Sequence, residues 1–233
     1  TIAAAVRGLP VKLVFISSSK PQFELISQPQ LKSVQDLKGK IVGISSRGGS
    51  NDLMLQMILQ KNGLVPNKDV TVIIVGAQEE SVIALRTGRI AAALITPPRN
   101  FMLQRDGFNR IAYSGDYMTT YANGGIGLTD EKIKTNPTEV LAFVRGTSKA
   151  LQYSMKNRGE MVKIMPGYLG IKDPALIDQL YDLYLTRQSV DGSVDEPWMK
   201  GAIEFTLKTL GGAAKEVPSS QVFDFSFVQK AAR

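Results

Sequence analysis

Lys40-Ile41-Val42-Gly43-Ile44-Ser45-Ser46-Arg47-Gly48-Gly49-Ser50-Asn51 is the stretch whose reading decides the fold. Lys40 to Ile44 carries the apolar residues of a strand. It breaks into the polar loop Ser45 to Ser50, with two glycines. A helix is predicted from about Asn51 to Asn62, because Leu53, Met54, Met57, Ile58 and Leu59 recur at helical spacing. Gly63 is placed to cap its C-terminus. Asp69 to Val75 then reads as a buried strand. Strand, helix and strand in that order imply parallel pairing through a right-handed crossover.

The same alternation continues in both directions. Downstream come a helix from Gln78 to Thr87 closed by Gly88, a strand from Ala91 to Ile95 stopped by Thr96-Pro97-Pro98, a helix from Asn100 to Arg105 closed by Gly107, and a short strand from Ile111 to Tyr113. Upstream, Val11 to Ile16 is a strand ending in Ser17-Ser18-Ser19. A polar extended segment, Gln22 to Gln28, and a helical turn at Ser33 to Leu37 follow. Beyond Tyr121-Ala122-Asn123-Gly124-Gly125 the character changes. Ile126 to Leu128 is a short strand, and the remainder reads as helices: Pro137 to Asn157, Glu160 to Met165, Asp173 to Arg187 and Glu196 to Leu210. The opening Ile2-Ala3-Ala4-Ala5-Val6-Arg7-Gly8 reads as the end of a helix, with one strand after it. A lone strand cannot make a stable parallel sheet. The first lobe is therefore expected to be incomplete, with strands upstream of Thr1 and a sheet edge that favours self-association.

Composition narrows the function. Of 233 residues, 43% are hydrophobic and 21% charged, ordinary for a globular chain. The apolar runs Val70 to Val75 and Ile90 to Ile95 have strand length, far below the ~20 residues that span a bilayer. There is no cysteine and no histidine. Thiolate metal sites, cysteine nucleophiles and the commonest general base are thus absent. Net charge is +7, which suits anionic partners. The basic residues are scattered rather than clustered, so no nucleic acid is expected. Glu79-Glu80 and Asp130-Glu131 read as charges that complement helix N-termini, not as a metal site. No cofactor is expected.

In open α/β sheets, ligands sit at the carboxyl ends of the strands. The candidate ligand-binding residues there are Ser17 and Ser18 after the first strand, Ser45, Ser46, Arg47, Gly49, Ser50 and Asn51 after the second, Gly76 and Gln78 after the third, and Thr96 after the fourth. The 45–51 loop is the strongest. A helix start exposes unpaired N–H groups and about half a positive charge, glycines let backbone approach a ligand, and the serines add donors. Its bland alternative is an ordinary strand-to-helix loop with Ser50 as N-cap. Arg47 could pair with a carboxylate or sulfonate, or point to solvent. Trp198 reads as core packing.

Several stretches resemble the periplasmic solute-binding proteins of the sulfonate, nitrate and taurine transporter group, which share their fold with thiamine-precursor synthases. They are Val34-Gln35-Asp36-Leu37-Lys38-Gly39-Lys40-Ile41-Val42-Gly43, Lys61-Asn62-Gly63-Leu64 before Lys68-Asp69-Val70, Ala84-Leu85-Arg86-Thr87-Gly88-Arg89-Ile90-Ala91-Ala92-Ala93, and Val222-Phe223-Asp224-Phe225-Ser226-Phe227. Ala91 departs from the acidic residue usual at that position. The resemblance implies a type II, two-lobed periplasmic-binding-protein-like α/β fold with mostly parallel sheets flanked by helices. Residues 1–31 and 120–233 would form the first lobe and 32–119 the second. Crossing segments near Glu24 to Gln28 and Tyr121 to Ile126 would act as hinges, with Tyr121 and Asn123 facing the ligand. It implies capture of a small anionic organic molecule in an interlobe cleft, delivery to an ABC permease, and a periplasmic location with the export signal upstream. The alternatives are an enzyme or a ligand-sensing regulator on the same fold. The enzymes of that kind use histidine and cysteine, and this chain has neither.

Overall fold

The computed structural model describes residues 1–210 and 216–232. In chain order, α1 (Ile2–Val6) and β1 (Val11–Ser18) open the molecule. Then come β2 (Glu24–Ser27), β3 (Ile41–Ile44), α2 (Ser50–Lys61), β4 (Thr71–Ile74), α3 (Gln78–Arg86), β5 (Ala92–Ile95), α4 (Arg99–Arg105) and β6 (Asn109–Tyr113). The rest comprises β7 (Gly124–Thr129), α5 (Asp130–Thr135), α6 (Pro137–Lys156), α7 (Arg158–Leu169), α8 (Pro174–Arg187), α9 (Glu196–Thr209), α10 (Ser219–Val222) and α11 (Ser226–Ala231). The chain forms two compact units, residues 1–20 with 120–233, and residues 21–119.

Unit 2, residues 21–119, holds a five-stranded sheet in the order β4-β3-β5-β2-β6. β3 pairs parallel with β4 and with β5, while β2 runs antiparallel between β5 and β6. The chain leaves β3 toward β4 on one side, then returns past β3 to β5 on the other. Right-handed crossovers therefore place α2 on one face and α3 on the opposite one. The packing agrees. Ala84 and Leu85 of α3 and Leu103 of α4 meet Ile26, Ala93 and Ile95 on one face. Leu25, Val42, Ile44 and Leu94 point the other way and are buried, as are Met54, Leu55, Ile58 and Leu59 of α2. Because α2 departs to one face and α3 and α4 to the other, the loop after β3 lies at the point where the winding reverses. That crevice is where open α/β sheets bind ligands.

Two expectations change in this unit. Glu24 to Gln28 is no hinge. Glu24 to Ser27 is a fully buried strand in the sheet interior, bonded on both sides, so residues 21–31 belong with unit 2. Its two polar residues hid a central strand. The chain instead passes between the units at Lys20/Pro21 and at Thr119/Thr120, and Gly124 to Ile126 lie within β7 of unit 1. β4 is also not a buried strand. It is the edge of the sheet, and Ile74 is 57% exposed.

Unit 1 contains a two-stranded antiparallel sheet, β1 with β7. The other side of β1 is covered by chain segments rather than by a strand. Asp224 N–H bonds Leu13 O at 2.9 Å, Ile16 N–H bonds Gly192 O at 2.8 Å and Ser189 N–H bonds Ser17 O at 2.9 Å. Helices supply most of the core. Val14 and Phe15 pack with Val140, Val144 and Leu151 of α6 and with Phe227 and Val228 of α11. Leu13 and Ile16 pack with Ala5, Val6, Ala202, Ile203, Val222 and Phe223. Trp198 packs edge-on to Phe223, ring centroids 6.2 Å apart, and its Nε1 donates to Ser19 O at 3.0 Å, so it serves the core as expected. α7 runs on through Pro166 to a left-handed Gly170, past the expected end at Met165.

Candidate functional site

The loop after β3 is built by its own composition. Gly48 sits at φ +69°, a conformation costly for any residue with a Cβ, and turns the chain toward α2. Gly49, not Ser50, is the N-cap, and it makes no side-chain cap. A Cβ on Gly49 would lie 2.7 Å from Ser46 Oγ. The first helical bond is Leu53 N–H to Gly49 O, so the N–H groups of Ser50, Asn51 and Asp52 have no carbonyl one turn back. Ser45 and Ser46 are exposed and Ser50 is half-buried.

Beneath this loop lies Asp52, which the sequence reading missed. Its side chain is 3% exposed. It accepts Gly48 N–H at 2.8 Å and Gln56 Nε2 at 3.0 Å. An acid at the third helical position that reaches back to a loop N–H is a capping pattern, legible in Gly48-Gly49-Ser50-Asn51-Asp52. Arg47 does not stand free. Its guanidinium lies 3.9 Å from Asp52 and donates to Val72 O at 2.5 Å on the edge strand β4, with Asn67 Oδ1 at 3.4 Å. It braces the loop against the sheet edge.

Three of the proposed residues meet at the end of β5. Asn51 Nδ2 donates to Leu94 O at 3.2 Å, and Gln78 Nε2 donates to the same oxygen at 3.3 Å. Gln78 Oε1 accepts Thr96 N–H at 2.9 Å and the Thr96 hydroxyl at 3.3 Å. Gln78 and Thr96 thus satisfy one another and staple the loop after β4 to the end of β5. Asn51 is 6% exposed, and its Oδ1 has no hydrogen-bond partner among the described residues. Gly76, at φ +109°, makes the turn into α3.

The same edge of the sheet holds a second missed group. Glu24 is 3% exposed and accepts from Asn100 Nδ2 at 2.6 Å and Gln104 Nε2 at 3.2 Å, with Arg110 at 3.5 Å. An acidic residue inside Phe23-Glu24-Leu25-Ile26 was the available signal.

Ser17, Ser18, Tyr121 and Asn123 belong to unit 1. Both serines lie inside β1 rather than in a loop. Ser18 is buried, its hydroxyl donating to Arg187 O at 3.2 Å. Asn123 N–H bonds Ser18 O at 3.0 Å and Tyr121 N–H bonds Ser19 O at 3.4 Å, so these residues gather at one end of β1. Arg187, 5% exposed at the end of α8, is a buried cation that sequence reasoning passed over.

The family described as NMT1/THI5 like matches residues 1–161. The chain belongs to that family. A nitrate/nitrite binding protein, NrtA of Synechococcus elongatus, is 22% identical over 189 residues, which are 77% of this chain and 38% of that protein. A riboflavin-binding protein, RibY of Chloroflexus aurantiacus, is 28% identical over 198 residues, 83% of this chain and 53% of that protein. The chain therefore spans about half or less of the length of these relatives. The crystal structure of the periplasmic aliphatic sulphonate binding protein SsuA from Escherichia coli superposes with a TM-score of 0.70 at 20% identity, covering 94% of this chain and 75% of SsuA. The NMT1/THI5-like chain thus has the α/β fold of a periplasmic binding protein.

Proposed function

We propose that this NMT1/THI5-like chain is the ligand-binding part of an ABC importer's substrate-binding protein, which captures a small polar solute in the periplasm and passes it to a membrane permease. The observation that carries the reading is the 45–51 loop. It stands at the winding reversal of the unit 2 sheet and presents serine hydroxyls, a glycine pair and the first-turn N–H groups of α2. Family membership supports it, as do relatives named for nitrate, nitrite and riboflavin binding. Tyr121 and Asn123, in unit 1, are further ligand contacts in this reading. Catalysis is not part of this reading, since a chain without histidine or cysteine lacks the usual bases and nucleophiles.

The test is thermal shift followed by calorimetry with nitrate, ethanesulfonate, taurine and riboflavin. A solute that binds the native state raises its apparent stability. Ser46→Ala and Ser50→Ala should each weaken binding by about 1 to 3 kcal/mol where a polar head is held at the loop. Unchanged affinity in both variants would move the site elsewhere. Self-association through unit 1, whose sheet has only the strands β1 and β7 among the described residues, is expected to show as a dimer in sedimentation equilibrium.

A further inference from the structure

The chain as a whole is cationic, but the carboxyl edge of the unit 2 sheet is not. α2 carries Asp52 in its first turn, and α3 carries Glu79 and Glu80 in its first turn. Each of these charges offsets the positive end of its own helix, the feature that would otherwise attract an anion. The arginines at this edge are matched by acids of the same edge. Arg47 lies beside Asp52, Arg99 pairs with Glu79, and Arg110 reaches Glu24. Three arginines face four carboxylates, counting Glu80, so no surplus positive charge is left for a ligand.

Three buried side-chain atoms at this edge have no hydrogen-bond partner among the described residues, Asn51 Oδ1, Asn100 Oδ1 and Ser114 Oγ, and the first of them stands at the start of α2. Asn51, on the first turn of α2, is more than nine-tenths buried. Its orientation is fixed, because only the amide nitrogen can face the Leu94 carbonyl at 3.2 Å. That leaves Oδ1 an acceptor without a partner among the described residues, on an amide that bridges the first turn of α2 and the end of β5. A buried acceptor left unsatisfied costs free energy comparable to a lost hydrogen bond, and a ligand donor that reaches it recovers that cost. Beside it the N–H groups of Ser50, Asn51 and Asp52 await an acceptor. Adjacent donor and acceptor sites match a neutral amide, lactam or imide, whereas an oxyanion offers no proton to Oδ1 and shares the first turn of α2 with the Asp52 charge.

We infer that unit 2 selects a neutral ligand group carrying adjacent N–H and C=O functions, read by Asn51 Oδ1 and the α2 N-terminus, and discriminates against carboxylates and sulfonates. The inference rests on the solute-binding reading above and names its ligand class.

The experiment is calorimetry on the full chain with matched pairs, benzamide against benzoate and acetamide against acetate, with methanesulfonate, nitrate and riboflavin alongside. In the native protein each amide should bind at least about ten-fold more tightly than its anion. Asp52→Asn keeps an oxygen for Gly48 N–H and removes the charge. It should improve binding of the anions by about ten-fold and leave the amides within about two-fold. Should that variant fail to fold, Glu79→Gln with Glu80→Gln, both at exposed positions, should shift the same preference by about three-fold. Anions that outbind their amides in the native protein would overturn the inference and leave solute binding standing. Failure of every compound, nitrate and riboflavin included, would remove the solute-binding reading and the inference with it.

Discussion

Unit 2 and unit 1 reach stability by different routes. Unit 2 closes its core through a five-stranded sheet, with Leu25, Ile26, Val42, Ile44, Leu94 and Ile95 buried on its two faces and helices on both sides. Unit 1 has a two-stranded sheet, and its Val14, Phe15 and Ile16 are buried mainly by α6, α9, α11 and the chain around Gly192. Where strands pair with strands, backbone bonds fix the geometry and side chains fill it. Where a strand edge is covered by loops, single close contacts decide whether the chain fits. The first arrangement should tolerate small changes in shape, and the second should not.

Four substitutions test that contrast. The largest effect is expected from Leu55→Ala in α2. Leu55 is 0% exposed, and its loss should cost about 2 to 5 kcal/mol. Amide exchange in β3, β4 and β5 should accelerate; unaltered protection there would mean α2 is not the lid of that face.

Gly192→Ala is its counterpart in unit 1. Gly192 has φ +97°, and a Cβ there would overlap the ring of the buried Phe15. Strain and overpacking together should cost about 2 to 4 kcal/mol. Trp198 is the single tryptophan and lies in unit 1, so urea unfolding followed by its fluorescence reads this unit. A loss below about 1 kcal/mol would show that the loop covering β1 is more pliant than its contacts imply.

Asn51→Ala should cost only about 1 kcal/mol of stability, because Leu94 O keeps its bond from Gln78. Binding of a ligand held at the α2 start should fall further than stability does. Equal losses in the two would make Asn51 a purely structural group.

The smallest effect concerns Asp36, in the turn before β3. The backbone N–H groups of Lys32 and Ser33 hold its carboxyl below the usual carboxylate value. Its contribution is therefore full above the unfolded-state value and fades as pH falls through the lowered folded-state value. Asp36→Asn should be less stable than the native chain at neutral pH, and the gap should close in acid. A gap that persists unchanged at pH 2 would assign the effect to shape rather than charge.

The sequence by itself determined the parallel βαβ order of unit 2, the glycine-capped helix ends at Gly63, Gly88 and Gly107, and the loop Ser45 to Asn51 at a strand's carboxyl end. These are local signals: residue spacing and positive φ at glycine, which all three adopt. Tertiary structure alone decided the rest. It placed Glu24 to Ser27 inside the unit 2 sheet, because burial on both faces follows from position in the sheet, not from alternation along the strand. It drew Ser18 into β1 by pairing with Gly124 and turned Gln78 and Thr96 toward each other instead of outward. It also set the sign of charge at the candidate site. The count of +7 belongs to the whole chain. Which acid stands beside which arginine is fixed by pairs as far apart in sequence as Glu24 and Arg110, which only folding brings within 3.5 Å. Electrostatic attraction falls off with distance and is screened by salt, so a site responds to its neighbours and not to the sum.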